Sequence, residues 1–153
     1  AKRRGWPGPL ERLDALGALV PGSILAHGVH LSAAQVRRAG QRGCWLVQNP
    51  RSNRGNRVGY PAALHASAKV ALGTDGYPSD MTAELAALRE EALGHGEDLA
   101  VAQQRVHQGK VLLAERFGGV APTPDSTTDI DFDAIRAEAA AEALRLWSRM
   151  ADL

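Results

Sequence analysis

Three short apolar runs divide the first half of the chain. They are Ser23 to Ala26, Cys44 to Val47 and Lys69 to Leu72, and each is too short to be a helix. Their apolar residues are continuous, as in parallel strands that are covered on both faces. Helical segments separate the runs, so the pattern predicts an α/β fold built from β/α repeats.

Amphipathic segments between these runs predict the intervening helices. In Pro9 to Leu19 the leucines recur at helical spacing, and glycines end the segment. Ser32 is a candidate N-cap for a helix that runs to Arg42 and ends at Gly43. A shorter helix is expected over Pro61 to Ser67.

Only helices are predicted after Met81. Two are expected over Thr82 to Leu93 and Asp98 to Phe117, and an alanine-rich amphipathic helix is expected over Ala134 to Met150. Their expected core positions include Leu85, Leu88, Leu93, Leu99, Val106, Leu112, Leu113 and Phe117. The predicted organisation is an α/β part over residues 1–117, a Pro/Gly/Ser/Thr-rich linker over 118–133 and a C-terminal helix over 134–153.

The composition is that of an ordinary globular domain. Of the 153 residues, 44% are hydrophobic and 23% are charged, and the net charge is +1. This charge is too small to argue for a nucleic-acid partner or an anionic membrane, and no apolar run approaches the roughly 20 residues that span a bilayer. The single cysteine, Cys44, excludes an internal disulfide. Because Lys2 to Pro9 does not have the pattern of a signal peptide, the expected location is the cytoplasm.

Polar side chains follow all three predicted strands. The first strand is followed by His27 and His30, the second by Asn49, Ser52 and Asn53, and the third by Asp75. Because the carboxyl ends of parallel strands meet at one edge of the sheet, we expect these side chains to share a rim. That rim is the candidate functional site.

Asp75 and the two histidines each have a structural interpretation as well. Asp75 lies between Gly73 and Gly76, and aspartate beside glycine commonly caps a turn. Neutral imidazole is a ligand for zinc and iron, but a lone histidine is also often structural. Two histidines and one aspartate are one group short of a complete metal site. The residues alone leave both interpretations open.

The most polar stretch, Asn49 to Arg57, is predicted to be a loop. Its three arginines could form a surface for phosphate or nucleic acid. The sequence has no Walker motif, no dinucleotide-binding glycine pattern and almost no aromatic residue near these arginines to stack on a base. We therefore expect no nucleic-acid partner.

Three motifs resemble the last three strand ends of the amidohydrolase superfamily. They are LAHGVHLS at 25–32, VQNPRSNRGNRVGYPAAL at 47–64 and ALGTDGYPSDM at 71–81. The similar branch contains guanine and adenosine-type deaminases, triazine chlorohydrolases and aminohydrolases associated with selenium metabolism. The resemblance implies a (β/α)8 TIM barrel with one divalent metal, in which the three predicted strands are strands six to eight.

The resemblance also implies roles for the rim residues. Asp75 matches the eighth-strand aspartate, which touches the metal and takes a proton from water, and His27 matches the sixth-strand histidine, which meets the metal or polarises the substrate. Both are expected to be catalytic and metal-binding residues. The metal is expected to be zinc, with iron as the alternative. The expected substrate-binding residues are His30, Asn49, Ser52 and Asn53.

Two features depart from the family pattern. Gln48 stands where many relatives have a histidine, which argues against a proton-transfer role at that position. The first-strand His-x-His pair and the fifth-strand histidine have no counterpart in these residues. Since a complete barrel needs about 250 residues, the remaining strands are expected from an N-terminal part of the protein or from another chain.

The leading hypothesis is the C-terminal part of a metal-dependent amidohydrolase or deaminase. A water activated by the metal would attack a carbon bonded to nitrogen or chlorine in a small cyclic, purine- or triazine-like substrate. The isolated 153 residues are expected to be inactive and can lack the metal, and the complete protein is expected to be a homo-oligomer. The alternative is a catalytically incomplete interaction module, which metal stoichiometry would distinguish from the enzyme.

Overall fold

Three parallel strands form a small sheet in the computed structural model, which describes residues 2–118 and the isolated positions 137 and 141. The strands are β1 (Ile24–Ala26), β2 (Trp45–Gln48) and β3 (Val70–Leu72), and their order in the sheet is β1-β2-β3. In this register Ala26 is opposite Val47, and Gln48 is opposite Leu72. The predicted strands are confirmed, with bounds that differ by one residue.

Helices connect and cover the strands, as a parallel sheet requires. The α-helices of the described residues are α1 (Pro9–Ala15), α2 (Ala33–Gln41), α3 (Pro50–Gly55), α4 (Met81–Gly94) and α5 (Leu99–Phe117). Two 3-10 segments, Lys2–Arg4 and Ala62–Ala66, complete the order. The α/β class predicted from the sequence is therefore confirmed.

Local capping explains where the longer helices begin and end. The Ser32 hydroxyl accepts a hydrogen bond from the backbone of Gln35, and the Gln35 side chain accepts one from the backbone of Ser32, which forms a capping box at α2. Asp80 caps α4 and Asp98 caps α5 through their carboxylates. At its end, α5 reaches Gly118, whose φ of 69° is in the left-handed region.

Two local predictions are wrong. The first helix ends at Ala15 and not at Leu19, and Gly17 has a φ of 70°, which glycine adopts without strain. The stretch predicted as a polar loop contains α3, which begins at Pro50, a residue whose fixed φ suits the first helical position. The short helix matters for function because it follows β2 directly.

Apolar residues from all three strands fill the core. Leu46, Leu64 and Val70 pack with Val36 of α2, and Leu72 packs with Leu88 of α4. Three alanines of α4 and α5 are also buried, Ala87, Ala92 and Ala102, and the last two belong to the cluster of Leu72 and Leu88. The predicted core positions Leu93, Leu113 and Phe117 are wrong, since these side chains are 64%, 45% and 68% exposed.

The predicted division of the chain stays a prediction beyond α5. The described residues 2–118 belong to one compact unit, Ala1–Ala121, and the chain from Pro122 onward is assigned to a second unit. The predicted linker from residue 119 onward and the predicted C-terminal helix lie outside the residues that the structure describes, apart from positions 137 and 141. None of the described helices is long and apolar enough to cross a bilayer.

Candidate functional site

The residues that follow the two outer strands meet beside the end of the central strand. His27 follows β1 directly and Asp75 lies in the segment 73–80 after β3, which we call the Asp75 loop. Nε2 of His27 is 3.5 Å from Oδ2 of Asp75. Both residues have a positive φ, 66° for His27 and 53° for Asp75, a backbone conformation that costs free energy in residues other than glycine. Strain at both members of a pair is typical of functional sites.

Helix α3 supplies the hydrogen bonds that hold this pair. The Ser52 hydroxyl donates to Oδ2 of Asp75 at 2.5 Å, and Oδ1 of Asn53 lies 2.8 Å from Nδ1 of His27. An amide oxygen only accepts, so Nδ1 of His27 carries the proton in this bond, and Nε2 is the ring nitrogen that faces Asp75. Ser52 and Asn53 are both buried, whereas the side chains of His27 and Asp75 are 36% and 41% exposed.

These contacts favour the ionised form of the Asp75 carboxyl. The hydrogen bond from Ser52 is the largest cause that holds the pKa of Asp75 below its usual range. Partial burial raises this pKa, but the backbone N–H of Gly76 and the nearby His27 imidazole lower it further. At neutral pH, Asp75 is therefore a carboxylate that can accept a proton or bind a cation.

Because Gly73 has no side chain, the ends of β2 and β3 can approach closely. A Cβ atom there would lie 2.6 Å from Cγ1 of Val47 and 2.7 Å from Oδ1 of Asn49. Nδ2 of Asn49 lies 3.5 Å from Nδ1 of His27, too long for a strong hydrogen bond. Asn49 is thus part of the packing under the pair.

The pair opens into a cleft of about 680 Å³. Its walls are mainly apolar and include Leu13, Ile24 and Val58, and both His27 and Asp75 line it. His30 lines the same cleft and is exposed, and within the described residues its side chain makes no hydrogen bond to protein. Of the six predicted site residues, the structure brings five into one constellation and leaves His30 on the cleft wall.

Two buried ionic residues near the site, Glu84 and Arg105, are absent from the sequence-based expectations. Glu84 of α4 has no exposed surface, and its carboxylate accepts from both the backbone and the guanidinium of Arg51, the residue before Ser52. Glu84 precedes Leu88 by one helical turn, so its place on the buried face of α4 could have been found from the helical period.

Arg105 of α5 is the buried partner of Gln48. The side-chain oxygen of Gln48 accepts from Arg105, and Arg105 also donates to Glu97 at 2.5 Å. Tyr60 donates to the same Glu97, and burial together with this carboxylate raises the pKa of Tyr60 to about 12. Gln48 is fully buried, so its side chain anchors the end of β2 to α5.

The donor set supplies only part of a metal site. Among the described residues, no three His, Cys, Asp or Glu side chains lie close enough to hold one ion. Two ligand atoms on a tetrahedral ion with bonds of about 2.1 Å lie roughly 3.4 Å apart. The 3.5 Å between His27 and Asp75 fits that separation, so this pair can provide two ligands but not a complete site.

Comparison with known families decides the assignment of the chain. The model of the amidohydrolase family matches residues 1–124. The chain belongs to the amidohydrolase family. Membership implies the TIM-barrel fold of that family, and the three described strands form a small parallel sheet of the kind such a barrel contains.

Curated relatives of this chain are named as deaminases. The 5-methylthioadenosine/S-adenosylhomocysteine deaminase of Haloquadratum walsbyi is 34% identical over 119 residues, which are 72% of this chain and 27% of the relative. The enzyme of the same name from Thermococcus sibiricus is 40% identical over 75 residues, 47% and 18% of the two chains. The 8-oxoguanine deaminase of Pseudomonas aeruginosa is 32% identical over 87 residues, 55% and 19%.

The matches cover a minor part of each relative. This chain spans less than a third of the length of the curated relatives that it matches. No solved structure matches it significantly. The family is therefore established from sequence, and the site geometry comes from this structure.

Proposed function

We propose that this chain forms strands six to eight of an amidohydrolase barrel and carries two residues of a metal-dependent deaminase site. The observation that carries the proposal is the 3.5 Å approach of His27 Nε2 to Asp75 Oδ2 at the carboxyl ends of the two outer strands of the parallel sheet. In barrels of this type the chemistry lies at that end of the strands. The predicted catalytic and metal-binding roles of His27 and Asp75 are retained in this proposal.

A divalent metal, zinc in the first instance, would be held by His27 and Asp75 together with ligands from outside the described residues. When bound, such a metal lowers the pKa of a water molecule toward about 7 and so supplies a nucleophile at neutral pH. The geometry supports this role for His27, because the hydrogen bond to Asn53 uses Nδ1, so Nε2 is the ring nitrogen available to a metal.

Asp75 is proposed as the general base. Its carboxylate is ionised at neutral pH, Ser52 holds it in place through a hydrogen bond, and its partial exposure to the cleft leaves it accessible to a reacting molecule. Once protonated, it can return the proton to a departing amine, and the deaminated carbon keeps the oxygen of the attacking water. Ser52 orients Asp75, and Asn53 orients His27, so α3 sets the geometry of the proton transfer.

The substrate is proposed to be a small planar heterocycle of the purine type. The cleft of about 680 Å³ has mainly apolar walls and can bury a flat ring, with His30 available for a polar contact. Relatives named as deaminases of 5-methylthioadenosine, S-adenosylhomocysteine and 8-oxoguanine favour a C–N bond over a C–Cl bond as the bond that breaks. Substrate contacts by Asn49, Ser52 and Asn53 remain predictions, since these side chains are buried under the pair.

The sheet edge at β1 is proposed to pair with further barrel strands. Within the described residues β1 pairs only with β2, and Ile24 of β1 and Leu13 of α1, which line the same cleft, are 50% and 40% exposed. An open edge beside exposed apolar residues is unfavourable in water. The additional strands would cover it and bring the remaining metal ligands, from the same protein or from another chain.

A chimera tests the proposed function. Residues 23–94 of this chain, which include all of α4, replace the aligned segment in the Thermococcus sibiricus relative, and ammonia release from 5-methylthioadenosine is measured with zinc present. We expect a folded, active enzyme that loses about 100-fold or more of its kcat on Asp75→Asn, because that substitution removes the general base. Asp80→Asn, which changes an exposed helix cap in the same loop, is the matched control. A folded, zinc-loaded chimera that releases no ammonia would contradict the proposal.

A further inference from the structure

Glu84 is a buried carboxylate whose two oxygens face one residue. Oε1 accepts from Nε of Arg51 at 2.7 Å, and Oε2 accepts from the backbone N–H of Arg51 at 3.2 Å. Glu84 is 0% exposed, so it depends on these bonds in a place without water to replace them. Burying a carboxylate in this way is costly, which indicates a specific role for the arrangement.

The backbone bond makes Glu84 the cap of α3. Helix α3 begins at Pro50, which has no N–H, so the Arg51 N–H is a donor of its first turn without a partner inside the helix. The formal N-cap residue, Asn49, makes no side-chain cap bond. A carboxylate from α4 therefore replaces the usual cap and places a negative charge at the N-terminus of the helix that carries Ser52 and Asn53.

The terminal guanidinium nitrogen of Arg51 binds the Asp75 loop. Nη2 of Arg51 donates to the backbone oxygen of Pro78 at 2.5 Å, and the guanidinium lies 5.3 Å from the ring centroid of Tyr77. Arg51, in the first turn of α3, is thus bonded both to Glu84 of α4 and to the loop that carries Asp75. A planar guanidinium can make these contacts together, because its donors point in several fixed directions.

We propose that Arg51 and Glu84 are positioning residues that lock α3 to the Asp75 loop. The lock keeps Ser52 on Asp75 and Asn53 on His27, and so maintains the separation of the two site residues. Its importance for catalysis rests on the proposed function, but its geometric effect does not. Neither residue lines the cleft, so both act through the side chains that α3 presents.

A second ion pair joins the same two helices and provides the control. Nη1 of Arg54 lies 2.8 Å from Oε2 of Glu90, again an α3 arginine with an α4 glutamate. These side chains are 51% and 68% exposed, and neither bonds to the Asp75 loop within the described residues. Exposed pairs of this kind contribute little to stability. Arg54→Gln and Glu90→Gln therefore make the same charge changes without breaking the proposed lock.

The test uses NMR of the 15N-labelled chain without substrate or metal. The signals followed are the ring nitrogens of His27, assigned with His27→Gln, and the backbone amide of Gly76, which donates to Asp75. We expect Arg51→Gln and Glu84→Gln to displace both signals and to remove the hydrogen-bonded Nδ1 proton of His27. Arg54→Gln and Glu90→Gln should leave these signals at their wild-type positions. A folded Arg51→Gln chain with wild-type His27 and Gly76 signals would overturn the proposal.

Arg51→Lys keeps the test decisive if the glutamine variants do not fold. Lysine preserves a cation beside Glu84 but lacks the planar fork that also reaches Pro78, so the Gly76 signal should still move. Unchanged signals in this folded variant would also overturn the proposal. In the chimera, Arg51→Lys should lower kcat by about 10- to 100-fold with a much smaller change in KM, as expected for misplaced reacting groups. Displaced signals with an inactive parent chimera would refute the proposed function and leave the positioning role supported.

Discussion

Asp75 and His27 approach to 3.5 Å although they follow different strands of the sheet. Each turns toward the other through a left-handed backbone, and each is held by a neighbouring residue of α3, Ser52 in one case and Asn53 in the other. The site is therefore organised by the short helix after β2 and not by direct contacts between β1 and β3, which do not pair with each other.

Ser52→Ala should raise the pKa of Asp75. The Ser52 hydroxyl is the largest cause of the lowered pKa, so its removal favours the protonated carboxyl. A carboxyl titration by 13C NMR on the metal-free chain measures the change. Ser79→Ala removes an exposed hydroxyl from the same loop and should leave the titration in place. An unshifted Asp75 titration in Ser52→Ala would show that this bond does not hold the carboxylate.

Gly73→Ala should destabilise the chain by about 1–3 kcal/mol, the usual cost of overpacking. The added methyl would meet Val47 and Asn49 at well below contact distance. Gly76→Ala is the control, because nothing lies within 4 Å of a Cβ atom there. Its effect should stay within about 0.5 kcal/mol. Urea unfolding of both variants makes the comparison, and equal stabilities would contradict the close approach of β2 and β3.

Asp14→Asn should change the pH dependence of stability. Burial raises the pKa of Asp14, but hydrogen bonds from Arg38 and Arg42 together outweigh it and lower the pKa below its usual value of 3.8. A lowered pKa in the folded state stabilises above the unfolded value, and this stabilisation is lost as the pH falls through the folded value. The Tm difference between wild type and Asp14→Asn should therefore be largest near pH 7 and should decrease below about pH 4.

Thermal unfolding between pH 7 and pH 3 checks this expectation. Glu90→Gln, which removes an exposed carboxylate, is the control and should give a small Tm difference at neutral pH. If the difference between wild type and Asp14→Asn persisted unchanged at pH 3, the ion pairs of Asp14 would not contribute in the proposed way.

Leu88→Ala should cost about 2–5 kcal/mol, because it opens a cavity in the cluster beneath β3. Leu88 is fully buried with Leu72, Ala92 and Ala102. Leu93 is on the same helix but is 64% exposed, so Leu93→Ala should cost less than about 0.5 kcal/mol. Urea unfolding measures both variants, and similar losses would mean that α4 is rotated relative to the sheet.

The sequence predicts the strands and the rim residues well, because their signals are local. Short apolar runs followed by polar residues identify β1 to β3, and the ends of parallel strands must share one edge. His27 and Asp75 come together as expected from that rule. Their strained backbone has no signal in composition or periodicity.

The failures arise from interactions between distant residues. Helix α3 is short and rich in residues that favour turns, and its capping carboxylate, Glu84, lies on another helix. Leu93 and Phe117 match the helical period, but the structure leaves them exposed, since Leu88, Ala92 and Ala102 form the buried cluster of α4 and α5. Periodicity identifies a candidate face, whereas burial depends on what packs against it.

Zinc titration of the 15N-labelled chain tests the central claim most directly. Because the described residues supply two ligands, the binding should be weak, but the first signal to shift should be Nε2 of His27, with Nδ1 still bonded to Asn53. Asp75→Asn and His27→Gln should abolish this response, and His107→Gln, at an exposed position on α5, should preserve it. Zinc that leaves His27 unchanged, or that binds equally well to Asp75→Asn, would contradict the assignment of His27 and Asp75 as a metal-binding pair.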